Sequence, residues 1–229
     1  MQGKRTHRRI LSIVALVTLV ISAGTASAQP SVVFRRDANP FDKPFEQWTA
    51  EWWQFILSFP AAANPQFDTG GQCAVGQHGP VWFLAGSFGQ VVTRTCTVPA
   101  GKALFVPVLN LVDINVASQI ARELRAEIAP CMDAVAGLSL EVDGQRVRNL
   151  AENFHIRSVV FDITVPPGGL LDPGTYSPVV DNGFYVMLKP LSVGSHTIHL
   201  SGASEGCPIQ GPFSVDVFYH LNVVPVSLK

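Results

Sequence analysis

Charge is scarce in this chain: only 14% of its 229 residues are Asp, Glu, Lys or Arg. That leaves little for long solvated helices, while 47% hydrophobic residues can fill a sizeable core. Cysteine is scarce too. There are four, with no Cys-x-x-Cys spacing, so the pattern does not point to a thiol redox centre or a structural zinc. Long apolar runs are missing. The run Ile10 to Ile21 holds about 12 residues, against the roughly 20 that a membrane span needs. No Walker loop, dinucleotide fingerprint, HExxH or haem-attachment motif occurs, nor the G-x-S-x-G elbow of a serine hydrolase. No internal repeat or low-complexity linker divides the chain. These gaps leave no cofactor and no metal to expect.

What is present begins with a basic segment carrying Lys4, Arg5, Arg8 and Arg9, followed by the apolar run and by Ala26-Ser27-Ala28. This is the order of a secretory signal peptide, residues 1–28, cleaved before Gln29. Its removal leaves 201 residues with 12 Lys+Arg against 17 Asp+Glu, a net charge of −5. A mildly acidic chain without a basic patch is a poor partner for nucleic acid or for an anionic membrane. The expected location is secreted or periplasmic, with no membrane span after cleavage. Residues 29–41 read as an irregular lead-in, and residues 42–229 as a single domain.

In an oxidising compartment, four cysteines pair by default, in one of three ways. Cys73 and Cys96 flank the strand-like stretch VWFLAGSFGQVVTRT and are expected to join. Cys131 and Cys207 then remain for each other.

Three of the four tryptophans fall within six residues, in EQWTAEWWQFILSFP. On a helix, Phe45, Trp48, Trp52, Phe55, Ile56 and Phe59 form one stripe, with Gln47, Glu51, Gln54 and Ser58 opposite. Asp42 suits the cap, Pro44 the first turn and Pro60 the end. The stripe predicts core packing for Trp48 and Trp52. Trp53 lies about 100° away and is expected to be only partly buried, facing a ligand together with Glu46.

A Gly-rich polar loop with Asp68 and His78 follows. Val81–Ala85 and Val91–Val98 then read as a hairpin, and Ala103–Leu109 as a buried strand. A second helix keeps its spacing through Ala117, Ile120, Ala121, Leu124 and Ile128, capped by Asp113 or Asn115 and interrupted by Pro130. Downstream the period becomes two. Asp143-Gly144 signals a tight hairpin. FYVMLKP and HTIHL read as another hairpin. The last strand sets Val215, Val217, Tyr219, Leu221 and Val223 against Ser214, Asp216, Phe218, His220 and Asn222. The expected fold is mainly β with two helices: an antiparallel β-sandwich, jelly-roll or immunoglobulin-like.

The stretches CAVGQHGPVWFLAG, CTVPAGKALFVPVLN, PLSVGSHTIHL and VFYHLNVV resemble a group of uncharacterised secreted bacterial proteins. The resemblance covers most of the mature chain. It implies export and one compact domain, and lends no activity or catalytic residue.

Candidate chemistry is sparse. Pairing Ile198 with Val217 puts His199 opposite Asp216 on an outer face, with His220 about 13 Å from Asp216 at strand rise, too far for one metal. His196 points to the core side, and His155 stands alone. Glu46 and Glu51 on the tryptophan helix, with Asp68, Asp113 and Asp181 in loops, could supply the paired carboxylates of a glycosidase beside an aromatic platform. Asn110, Asp113 and Asn115 lack the dense ligand run of a calcium loop. The ligand-contacting candidates are therefore Trp53, Glu46, Asp68, His78 and Asp113. The leading expectation is a secreted, non-catalytic binding or structural module whose partner is a glycan or another extracytoplasmic protein. A secreted glycan hydrolase is the alternative.

Overall fold

The computed structural model describes residues 31–68 and 72–226. The signal-peptide reading falls on residues 1–28, outside the described residues. The tryptophan segment forms helix α1 (Phe45–Leu57), burying Phe45, Trp48, Trp52, Phe55 and Ile56 along the expected stripe. Its start differs from expectation. Pro44 is the N-cap and makes no side-chain bond, while Asp42 closes a short 3-10 turn at φ 62°. The buried indoles find backbone acceptors: Trp48 Nε1 donates to Pro40 O (3.1 Å) and Trp52 Nε1 to Leu84 O (2.7 Å).

Beyond α1 run β1 (Val81–Phe83), β2 (Val91–Pro99), β3 (Ala103–Ile114), α2 (Ala121–Asp133), β4 (Val135–Val142), β5 (Gln145–Arg146), α3 (Leu150–Asn153), β6 (His155–Arg157), β7 (Phe161–Val165), β8 (Gly174–Leu188), β9 (Gly194–Ser204) and β10 (Phe213–Val224). The described chain is mainly β, with three α-helices rather than two and two mixed sheets of five strands. The first sheet has the order β1-β3-β8-β6, with β7 also on β8; the second has the order β2-β10-β9-β4-β5.

Purely antiparallel pairing is not what forms. β1 lies parallel to β3, and β2 parallel to β10. The mixed pairing departs from a typical jelly-roll. The hairpin read at residues 81–98 is absent, because β1 and β2 belong to different sheets. Their burial says why. All three β1 residues are buried, whereas β2 alternates exposed and buried positions, so the two suit different surroundings. β8 and β9 likewise separate into the two sheets. The Asp143-Gly144 turn does form its hairpin, with both residues at positive φ (51° and 73°) and Val142 paired with Gln145.

Two apolar clusters explain the difference between the sheets. One contains Leu104, Val106, Val186 and Leu188 of the first sheet together with Cys96, Leu200, Val217 and Leu221 of the second. The other contains Phe105, Tyr185 and Met187 of the first sheet together with Phe45, Trp48 and Trp52 of α1. Alternate residues of β3 and β8 thus feed opposite clusters, which is why both strands read as unbroken hydrophobic runs. The second sheet has one buried face, and β10 buries Val215, Val217, Tyr219, Leu221 and Val223 as its period of two predicts.

Smaller features also depart from expectation. Pro130 lies inside α2 rather than ending it, and the Ile120 N–H is received by Glu123 Oε2 (3.1 Å) instead of a cap from Asp113 or Asn115. Leu124, Ile128, Cys131 and Met132 are buried beneath that helix. The lead-in is tied down, since Val33 bridges Leu188 and Phe34 N donates to Met187 O (2.9 Å). The disulfides are Cys73–Cys96 and Cys131–Cys207, closing separations of 23 and 76 residues.

A candidate binding face and a buried carboxylate

The five residues singled out from sequence sit in different settings. Glu46 pairs with Arg36. Asp68 accepts from Gln72 N (2.7 Å), and its carbonyl accepts from Arg94 Nε (2.8 Å). Arg94 is itself buried, and it also donates to Gln66 O, Ala85 O and the Tyr219 hydroxyl, so this part of the loop is fastened to β2. His78 is exposed, its Nδ1 2.9 Å from Gly76 O. Asp113 lies on β3 and accepts from Ile114 N (2.9 Å). Burial raises its carboxyl pKa against that bond, and the nearby Glu127 raises it further.

Trp53 is the clear correction: it is 5% exposed and buried like its neighbours. Its Nε1 donates to Asp181 Oδ1 (2.7 Å) and lies 3.1 Å from the Tyr185 hydroxyl. A helix on a twisted sheet can bury more than one stripe, and the polar tip of this indole is satisfied inside the core.

Asp181 reads as a loop residue in the sequence, yet it lies fully buried in β8. Asp181-Asn182-Gly183 has the composition of a turn, but here β8 continues through it. Gly183 makes this feasible, because a Cβ there would lie 2.5 Å from Asn110 Cβ and 2.8 Å from Leu109 O. β3 is therefore able to approach closely. Asn110 donates to the Tyr185 hydroxyl (2.6 Å), which donates to Asp181 Oδ1 (2.7 Å). Among the described residues no group makes a well-formed hydrogen bond to the buried Asp181 Oδ2; the Thr49 hydroxyl lies near Asp181 and donates to Glu46 O (3.2 Å). Burial pushes the Asp181 pKa up to about 7, against the opposing pull of Tyr185, Trp53, Thr49 and Arg125. The same burial, and the Asp181 charge, raise the Tyr185 pKa well above its usual value. Trp53, Asp181 and Tyr185 are buried between α1 and the first sheet, with Asn110 half-buried at their margin.

Among the described residues, the outer face of the second sheet exposes an ordered array of polar and aromatic side chains. Strand register lines up Thr93, Phe218, His199, Glu141 and Arg146 in one row across β2, β10, β9, β4 and β5. Four inter-strand gaps make that row roughly 19 Å long. The next row along β10 sets His220 between Thr95 and Thr197, and the next sets Asn222 between Thr97 and Ser195. At the centre the rings of His199 and Phe218 stack, 3.8 Å apart and 8° from parallel. His199 Nε2 lies 2.9 Å from Asp216 Oδ1, which fixes the imidazole. Phe218 is 38% exposed.

The His199–Asp216 contact expected from sequence forms, but in a shifted register: Ile198 pairs with Tyr219, not Val217. A two-residue slip keeps every side chain on its own face, so the contact survives along a diagonal. Phe218 is the site residue that sequence reasoning misses. Its signal is there, since it is the one aromatic residue at an outward position of the last strand.

The remaining histidines are held locally. His196 is largely buried between Asp143 and the Ser192 carbonyl, as its core-side position implied. His155 contacts Asn182 (2.7 Å) and stacks on Phe184. Among the described residues, no group of three or more His, Cys, Asp or Glu side chains is arranged to hold a metal ion. No family model, curated protein or solved structure matches this chain.

Proposed function

We propose that the chain is an extracytoplasmic, non-catalytic binding module that holds a glycan on the outer face of its second sheet, its two sheets packed as a β-sandwich. The observation that carries this reading is the His199–Phe218 stack standing in the middle of a row of hydroxyl and charged side chains. Sugars match such a surface, because each ring has an apolar C–H face for stacking and a rim of hydroxyls for hydrogen bonding. A protein partner would call for a broader apolar centre than one phenylalanine and one imidazole provide. Export is supported by the basic and apolar segment read in the sequence and by two disulfides. No helix among the described residues is long and apolar enough to cross a membrane.

The carboxylates of the hydrolase alternative are scattered rather than paired: Asp113 is on β3 and Asp68 in the loop tied to β2. Glu46 and Glu51 are engaged by Arg36 and Lys43 on the helix surface, while Trp53 and Asp181 are in the core.

Retention on a panel of insoluble and arrayed polysaccharides tests the reading. The wild-type protein should be retained by at least one glycan. Phe218→Ala should weaken that binding roughly tenfold or more, the scale of a binding hot spot of about 1.4 kcal/mol or above. Thermal stability should barely change, since Phe218 is exposed. Equal binding by wild type and variant, or release of sugar products from the bound glycan, would count against it.

A further inference from the structure

The central row of the outer face ends at Arg146, and there the surface deepens. A groove of 470 Å³ lies between the first half of β4 and the segment from Arg146 to Glu152. It exists because β5 is short. On this edge the β5 pairs cover β4 only at Glu141 and Val142, with one further backbone bond from Val147 N to Leu140 O (2.8 Å), after which the chain turns away into α3 through Asn149 at φ 56°. On its other side, β4 shifts register against β9 between Ala136 and Ser139, which bends the strand beside the groove.

The charge of the groove is unlike that of the molecule as a whole. Two arginines, Arg146 and Arg148, are among its lining residues, with Glu152 the one acidic residue there. Arg146 donates to Ser139 Oγ (3.2 Å) and lies 3.7 Å from Glu141, so most of its five N–H donors remain available. Arg148 is exposed and has no hydrogen bond or ion pair among the described residues. In a chain with a net charge of −1, two arginines two residues apart, with donors to spare, stand at the end of the stacking row. Guanidinium groups bind carboxylate and sulfate through paired, charge-assisted hydrogen bonds.

We infer that this groove is the anion subsite of the same binding face, and that the ligand is an acidic glycan. One sugar stacks at His199–Phe218, and a carboxylate or sulfate further along the chain enters the groove at Arg146 and Arg148. The inference rests on the glycan-binding reading of the sheet face and adds the charge of the ligand.

Affinity electrophoresis against polygalacturonate, its methyl ester, dextran sulfate and dextran tests it, using the wild type, Arg146→Gln/Arg148→Gln and Phe218→Ala. The wild type should bind an acidic polymer about tenfold or more tighter than its neutral counterpart, as expected for charge-assisted hydrogen bonds. Polygalacturonate against dextran sulfate then identifies the anion. The double arginine variant should lose that preference while keeping its weak hold on the neutral polymer, and the preference should fall with salt. Phe218→Ala should weaken binding to both polymers. Equal wild-type binding to acidic and neutral polymers, with the arginine variant silent and Phe218→Ala defective, would overturn the anion subsite and leave the sheet face standing. Acidic-polymer binding that needs the arginines but ignores Phe218→Ala would overturn the sheet face and, with it, the continuity between stack and groove.

Discussion

Trp52→Ala should lower the free energy of unfolding by roughly 3–5 kcal/mol, the usual loss for truncating a buried large aromatic. Trp52 has no exposed surface, and its indole packs edge-on against Trp53 at 4.9 Å and Tyr185 at 6.2 Å. Its truncation also strips Leu84 O of a donor. Against a typical total of about 5–15 kcal/mol, that single change could leave the fold marginal. Trp53→Ala should be damaging to a similar degree, contrary to the partly exposed position read from the helical phase, because it opens a cavity and removes a donor from Asp181. Equilibrium denaturation of Trp52→Ala, Trp53→Ala and Phe218→Ala checks this. Losses below about 1 kcal/mol for either tryptophan would mean that α1 is not packed as described.

Asp181→Asn should remove the part of the pH dependence of stability that Asp181 carries. In the folded state the Asp181 pKa is about 7, against 3.8 for an ordinary aspartate. Between those values the native protein keeps a proton that the unfolded chain releases. Stability due to this group therefore falls as pH rises from about 4 to about 7, and is level above that, where both states are ionised. The fall should be on the order of 4 kcal/mol, taking about 1.4 kcal/mol for each pKa unit. The amide oxygen introduced by the substitution could still accept from Trp53 Nε1 and the Tyr185 hydroxyl, and the amide carries no charge to desolvate. Urea denaturation of both proteins at pH 4.5 and pH 8 should show a smaller difference between the two pH values for the variant. Identical pH dependence in the two proteins would mean that Asp181 does not titrate in this range.

What is legible in the sequence is local, and what is not is long-range. The α1 stripe, the alternation in β10 and the Asp143-Gly144 turn each depend on neighbours a few residues apart. Pairing of Cys73 with Cys96 follows from their placement around β1 and β2 even though those strands make no hairpin. The parallel partners of β1 and β2 lie beyond any local signal: β2 pairs with a strand more than a hundred residues away. The two helix-facing surprises share one cause. The first sheet is covered on both sides, so Trp53 and Asp181, which resemble surface residues by position and composition, close onto each other in the core. The binding face is half legible. His199 and Asp216 fall together by alternation alone, but without the register of β4, β9 and β10 the row through Phe218 to Arg146 cannot be assembled.

The most direct measurement for a glycan-binding sheet face is amide and side-chain NMR of the labelled protein titrated with the oligosaccharide retained best in the glycan screen. Perturbed resonances should cluster at Thr93, Thr95, His199, Phe218 and His220 and run toward Arg146 and Arg148, with α1 and the Asp181 cluster silent. Perturbations centred on α1, or on the loop bearing Asp68 and His78, with the outer face of the second sheet unmoved, would place the ligand elsewhere.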